Sequence, residues 1–153
     1  MKNLFKIAAL TAAAAFTFTA CNKDQKVVNR LEGDWNLTTL KEYENGVLTS
    51  PNNGLIPGET IIFGFEKCKL KSDDFCDFTI KSTENGNTET ESYKYKISDD
   101  GETFVWDVDY NSNTTTDQQN WVITESTKKN FKISMTEING SDTYKTEFGL
   151  EPK

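Results

Sequence analysis

The sequence predicts an all-β protein, an antiparallel up-and-down meander of eight or nine strands closed into a barrel. Apolar and aromatic residues recur at every second position from residue 34 onward, which is the period of a half-buried strand. Clusters of Gly, Asn, Asp and Ser separate the runs, and no helical stretch is long enough to connect parallel strands. A meander of this length protects its edges best by closing on itself. A β-sandwich is the alternative, and it would need a longer connection between its sheets than most turns provide.

The first strand is predicted over Asp34 to Tyr43, with Trp35 and Leu37 on one face. It ends before Asn45-Gly46, which favours a tight hairpin because both residues tolerate a positive φ. The return begins at Val47 to Thr49, and Ser50 to Gly58 is predicted to be a loop. Later strands are predicted around Thr60 to Lys69, Phe75 to Thr83, Thr88 to Ser98, Glu102 to Tyr110, Asn120 to Glu125, Phe131 to Met135 and Tyr144 to Phe148. A second polar loop spans Asn111 to Gln119.

Residues 1–20 are typical of a secretory signal peptide. Lys2 and Lys6 give a basic start, and the apolar run over residues 7–18 is too short to span a bilayer. The segment Phe18-Thr19-Ala20-Cys21 resembles the lipobox of bacterial lipoproteins, in which cleavage precedes a cysteine that carries a diacylglycerol. This resemblance implies acyl chains such as palmitate at Cys21 and an outer-membrane location, on the periplasmic face or the cell surface. An ordinary signal peptide with an unmodified Cys21 is the alternative.

Three regions follow from this interpretation. Residues 1–20 are the signal peptide that is removed, residues 21–30 are a flexible tether, and residues 31–153 are the barrel domain. A single helical turn is expected around Val27 to Leu31, where the polar segment ends.

Composition excludes several classes of function. Without residues 1–20 the chain has 15 basic and 24 acidic residues, a net charge of −9. This balance argues against nucleic acid binding and against electrostatic docking on anionic lipid, so the acyl chains are expected to supply the anchor. The chain contains no histidine, which removes the commonest general base and metal ligand.

Acidic residues cluster in turns and on one strand, and each cluster is a weak candidate for a metal site. The clusters are Asp73-Asp74 with Asp77, Asp99-Asp100 with Glu102, and Asp107 with Asp109. None has the spacing of a calcium loop, and a solvated surface is the favoured interpretation. A pair of carboxylates in a cleft could hydrolyse a glycoside, but the inward positions are apolar. We therefore expect no enzyme activity, no metal and no cofactor.

Gly33-Asp34-Trp35 resembles the Gly-x-Trp motif that opens the first strand of lipocalins. In that family the Trp follows a short helical turn and closes the barrel floor, roles that the resemblance assigns to Gly33 and Trp35. The chain is most similar to lipocalin-like lipoproteins of Bacteroidetes, over roughly Arg30 to Leu150. One departure is that Arg30, which precedes the first strand, is the only arginine of the sequence, so Lys145 is the candidate for the family's late Arg that stacks on the Trp.

An eight-stranded barrel is either filled by side chains or holds one small ligand. The candidate ligand-binding residues are the inward aromatic ones: Phe63, Tyr95, Phe104, Trp106 and Trp121. The sequence leaves both outcomes open, a carrier of a small apolar molecule and a structural or protein-interaction module with a filled barrel. In both cases we expect a monomer held at the membrane by its lipid.

The two remaining cysteines, Cys68 and Cys76, flank a predicted turn. In an exported protein such a pair indicates a disulfide. The alternative is a pair of free, partly buried thiols.

Overall fold

The structure is a computed structural model that describes residues 23–50, 54–70, 75–108 and 118–153. These residues form one helix and nine strands. Helix α1 covers residues 23–31. The strands are β1 (Gly33–Glu44), β2 (Val47–Leu48), β3 (Thr60–Phe65), β4 (Cys76–Glu84), β5 (Asn87–Ser98), β6 (Thr103–Asp107), β7 (Gln118–Ser126), β8 (Phe131–Asn139) and β9 (Asp142–Pro152). A 3-10 turn at Asp99–Gly101 joins β5 to β6.

Eight of the strands form a closed antiparallel barrel. From β3 to β9 each strand pairs with the next, and β9 returns to pair with β1, which also pairs with β3. The seam between β1 and β9 is long, running from Trp35 opposite Pro152 to Glu44 opposite Tyr144. The two-residue strand β2 lies outside the closed ring, against the end of β1. The predicted meander barrel is confirmed, and the β-sandwich alternative is wrong.

Local sequence explains the tight connections. Asn45 and Asn85 adopt positive φ angles of 50°, each followed by a glycine at 80°, so the two Asn-Gly dipeptides form the expected hairpin turns. Strand β3 ends at Phe65, before the predicted limit at Lys69. The chain leaves the sheet there because residues 66–70 turn toward α1, where the Gln25 side chain bonds to the Cys68 carbonyl and to the Leu70 N–H.

Helix α1 covers one end of the barrel, which we call the closed end. Val27, Val28 and Leu31 are buried against the core. Where the sequence suggested a tether with one turn, residues 23–31 are helical throughout and packed. Three apolar residues at helical spacing are too few to mark a helix in the sequence, and packing against the barrel stabilises it.

The core is the inner face of the barrel. The inward residues alternate with outward ones as the strand period requires. Among the described residues, the largest fully buried side chains are those of Tyr95, Phe78, Phe104, Phe131, Leu31, Ile133, Leu150, Val28 and Cys76.

Candidate functional site

The five aromatic residues predicted to bind ligand pack on one another inside the barrel. Tyr95 stacks on Phe104 with ring centroids 5.3 Å apart, and Trp106 lies 6.3 Å from both Phe63 and Trp121. Their exposed fractions run from 0% for Tyr95 to 8% for Trp106. Because each ring is enclosed by other rings, this part of the barrel is filled by side chains.

Two polar atoms in this filled region have no hydrogen-bond partner among the described residues. They are the Tyr95 hydroxyl and the Trp106 Nε1–H. The two residues lie directly opposite each other on β5 and β6. Burial raises the pKa of the Tyr95 hydroxyl well above its usual range, so this phenol stays protonated.

We call the end of the barrel opposite α1 the open end. Between the filled aromatic region and this end lies a further layer of inward side chains, which are still apolar but are no longer fully buried. They pack on the core and remain partly accessible to solvent. This layer, which we call the apolar cup, consists of Leu40, Ile61, Ile80, Tyr93, Met135 and Phe148 of the strands, together with Leu55 of the segment before β3. Phe148 forms part of its floor, since its ring stacks on Trp121 with centroids 4.8 Å apart.

Above the cup, the next inward position on most strands is polar. On β1, Leu40 is followed by Glu42; on β8, Met135 is followed by Glu137. The polar rim consists of Glu42, Ser82, Glu91, Gln119, Glu137 and Thr146. An apolar floor beneath a polar rim is the arrangement that binds a molecule with an apolar body and a polar end.

Tyr93 joins the cup to the rim. Its hydroxyl donates a hydrogen bond to the Glu91 carboxylate, and its ring lies 5.3 Å from that of Trp106. This hydrogen bond, together with burial, raises the pKa of Tyr93 to about 12. The Glu91 carboxylate is therefore held at the rim by a side chain of the cup.

The closed end contains the predicted floor residues. Gly33 has a φ of 117°, which lets the chain turn from α1 into β1. Trp35 is 3% exposed, and its Nε1–H donates to the Leu31 carbonyl oxygen at 2.7 Å.

Lys145 is not the partner of Trp35; its Nζ lies 5.8 Å from the Tyr43 ring centroid, near the other end of β1. Arg30 instead shares an open groove with Trp35.

The predicted disulfide between Cys68 and Cys76 is confirmed, with a Cα–Cα distance of 5.7 Å. It lies at the closed end, because Cys76 begins β4 and Cys68 belongs to the segment that contacts Gln25 of α1. The bridge therefore fixes the segment on which the helix docks.

The acidic clusters remain surface features where they are described. No group of three or more His, Cys, Asp or Glu side chains in the described ranges is arranged to hold a metal ion. Asp77 pairs with Lys94 at 3.5 Å, and Asp100 pairs with Lys23 at 3.0 Å. The other two aspartates of the first cluster, 73 and 74, lie outside the described residues, as does Asp109.

Several other predicted features also lie outside the described residues. These are the signal peptide with Cys21, positions 51–53 of the first long loop and positions 111–117 of the second. Among the described residues, no helix has the length and apolar character needed to cross a membrane.

The site residues that the sequence missed belong to the apolar cup. Met135 and Phe148 have the same inward parity as the other apolar residues of their strands, and that parity was the available signal. Leu40 does not follow the parity of Trp35 and Leu37, because a β-bulge between Leu37 and Thr39 shifts the register of β1. Alternation alone does not give the height of a residue in the barrel, which depends on how far the strands are staggered.

Comparison with protein-family models and with curated proteins gives no family or relative for this chain. No protein-family model matches it, and no curated protein is significantly similar to it in sequence.

Proposed function

We propose that this protein is a lipid-anchored, lipocalin-like binding protein that holds a small apolar molecule in the apolar cup. The observation that carries the proposal is the partly exposed inward layer of Leu40, Ile61, Ile80, Met135 and Phe148 above a filled aromatic floor. Such apolar surface is normally buried, and a ligand that covers it removes it from water. The ligand thus lies above Phe63, Tyr95 and Phe104, not among them.

The rim gives the ligand its orientation and part of its specificity. Glu42, Glu91 and Glu137 place carboxylates around the cup, so an anionic head group there is disfavoured. A neutral or cationic polar end suits the site better than a fatty acid carboxylate does.

The anchor is proposed to be the acylated Cys21, which follows the predicted signal peptide. Two or more acyl chains hold a protein stably at a membrane, whereas one chain binds only marginally. Cys21→Ala is expected to release the protein into the soluble fraction or leave its signal peptide uncleaved. A variant that partitions into membranes like the parent contradicts the anchor.

Titration with a neutral apolar fluorophore tests the cup. We expect saturation at one site with quenching of tryptophan emission, since Trp106 and Trp121 lie directly beneath. Met135→Gln should weaken this binding, because it places an amide in the floor of the site. The matched control is Thr136→Gln, at the exposed outward position next along β8. Equal affinity of both variants, or the absence of saturation, contradicts the carrier function.

A second candidate is a protein-interaction module, favoured by apolar residues exposed toward the open end. Val47 and Leu48 of β2 are 67% and 51% exposed, and Ile138 of β8 is 77% exposed. Large exposed apolar side chains grouped at one end mark interaction surfaces. If no apolar probe binds, Leu48→Ser and Ile138→Ser test this candidate. We expect each variant to fail to capture a protein partner that the parent chain captures.

A further inference from the structure

The charges of this acidic protein are unevenly distributed between the two ends of the barrel. An open groove of about 860 Å³ lies at the closed end, beside α1. Four cationic side chains line it, Lys26, Arg30, Lys128 and Lys153, against two acidic side chains, Glu32 and Asp34. We call it the basic groove. The negative net charge of the whole chain argued against binding to anionic lipid. That sum does not show that the charge at the closed end differs from the charge at the open end.

The cations of the groove are poorly compensated. Of the two carboxylates, Asp34 pairs with Lys153 at 3.7 Å. Arg30 donates from Nη1 to the Ser126 carbonyl oxygen at 2.7 Å, a neutral partner that fixes the guanidinium without neutralising it. Among the described residues, Lys26 and Lys128 are in no ion pair with a carboxylate.

Lys26 and Arg30 stand four residues apart on α1, so they lie on one face and repel each other. That face lies beside the one that Val27, Val28 and Leu31 bury in the core. An anion bound between the two cations removes this repulsion. A phosphate group suits the pair, because the guanidinium can donate two parallel hydrogen bonds to its oxygens.

The position of the groove along the chain identifies the source of the phosphate. Cys21 lies two positions before residue 23, where the helix begins, a span of at most about 7 Å. If Cys21 carries the lipid, α1 and the groove beside it are held at the membrane surface. The open end, with Glu42, Glu91 and Glu137, then faces away from the membrane.

We propose that the basic groove docks on the phosphate of anionic lipid head groups and so orients the barrel with its apolar cup toward the solvent. This inference rests on the proposed anchor at Cys21. Docking of the groove fixes the orientation of the barrel, and the acyl chains keep the protein at the membrane.

The test is the reactivity of individual lysines toward an amine-labelling reagent, read by mass spectrometry. The lipidated full chain is placed in vesicles of phosphatidylcholine alone or of phosphatidylcholine mixed with phosphatidylglycerol. We expect labelling of Lys26 and Lys128 to fall several-fold on the anionic vesicles only, and to recover at about 1 M salt, where the Debye length is about 3 Å. Lys81, which is exposed on β4, is the internal control. Equal protection on both vesicles, or none on either, overturns the proposal.

Two further measurements separate this proposal from its premise. Lys26→Glu should abolish the protection of Lys128, whereas Lys81→Glu, with the same change of charge, should not. In the Cys21→Ala chain, soluble short-chain phosphatidylglycerol should still protect Lys26 and Lys128, and short-chain phosphatidylcholine should not. If the soluble lipid protects these lysines but the parent chain does not stay with vesicles, only the proposed anchor at Cys21 is refuted. Lack of protection by the soluble lipid, or equal protection by inorganic phosphate, refutes head-group docking.

Discussion

The Trp35 indole donates its Nε1–H to the carbonyl oxygen of Leu31, the last residue of α1, at 2.7 Å. This bond satisfies a carbonyl at the end of the helix, where no partner within the helix is available. Both side chains are buried. The helix that covers the closed end is therefore joined to the strand that begins and closes the barrel.

Trp35→Phe tests this connection. The change leaves the buried Leu31 carbonyl unpaired, which costs about 1–3 kcal/mol, in addition to the loss of ring contacts. Urea unfolding measures the difference in free energy. Trp121→Phe is the matched control, because its Nε1 bonds at 3.3 Å to the side chain of Gln119, which reaches solvent and can be hydrated instead. An equal cost for both variants contradicts a special role for the Trp35 bond.

Reduction of Cys68–Cys76 should destabilise the closed end. Closing a loop with a sequence separation of 8 contributes about 2–3 kcal/mol. Because Gln25 bonds to the same segment, the docking of α1 should loosen as well. Cys68→Ala/Cys76→Ala, compared with the parent by hydrogen exchange, should show faster exchange in α1 and in residues 66–70. Alkylation of two thiols in the non-reduced parent contradicts the bridge.

The strands and turns could be predicted because their signals are local. Alternation placed Phe63, Phe78 and Trp106 inside, and the Asn-Gly dipeptides placed the hairpins. The closure of β9 on β1 followed from the strand count and the lack of crossover segments. The helical turn predicted around Val27 to Leu31 is the C-terminal part of α1, but the full extent of the helix could not be predicted, because its stability comes from contacts with the barrel.

The predicted ligand residues illustrate the limit of alternation. Tyr95 and Phe148 both face inward, yet Tyr95 is fully buried while Phe148 lies in the partly exposed cup. Which layer reaches solvent is decided by strand stagger and by the helix that covers the opposite end. Likewise, the local charge of the basic groove arises from α1, the turn after β7 and the end of β9, which are distant in sequence.

The seam between β1 and β9 carries a network that predicts a dependence on pH. The Lys145 ammonium lies 2.6 Å from Glu147, and the Tyr43 hydroxyl donates to the same carboxylate. The bond from Lys145, with smaller contributions that include Tyr43 and Lys41, holds the pKa of Glu147 below its ordinary value of 4.5.

A carboxyl group whose pKa is lowered on folding stabilises the protein above its unfolded pKa, and this contribution is lost as the pH falls through the folded pKa. Glu147→Gln should therefore cost about 0.2–1 kcal/mol at pH 7, the range for a solvent-exposed pair. The difference from the parent should vanish in acid, below the ordinary range of a glutamate. Unfolding of both proteins across this range measures it, with Glu137→Gln on β8 as the control. A difference that persists in acid indicates lost packing instead of lost charge.

Trp106 separates the filled floor from the cup above it. Its ring lies 5.3 Å from those of Phe78 and Tyr93, and its Nε1–H has no partner among the described residues. Trp106→Ala should leave a cavity and cost about 3–5 kcal/mol. Trp106→Phe should cost much less, because it keeps an aromatic ring in the floor and removes the unpaired donor. The Phe variant should also still bind the neutral fluorophore in the cup, since the ligand lies above the floor. Loss of binding in a stable Trp106→Phe protein would place the ligand deeper, beside the indole.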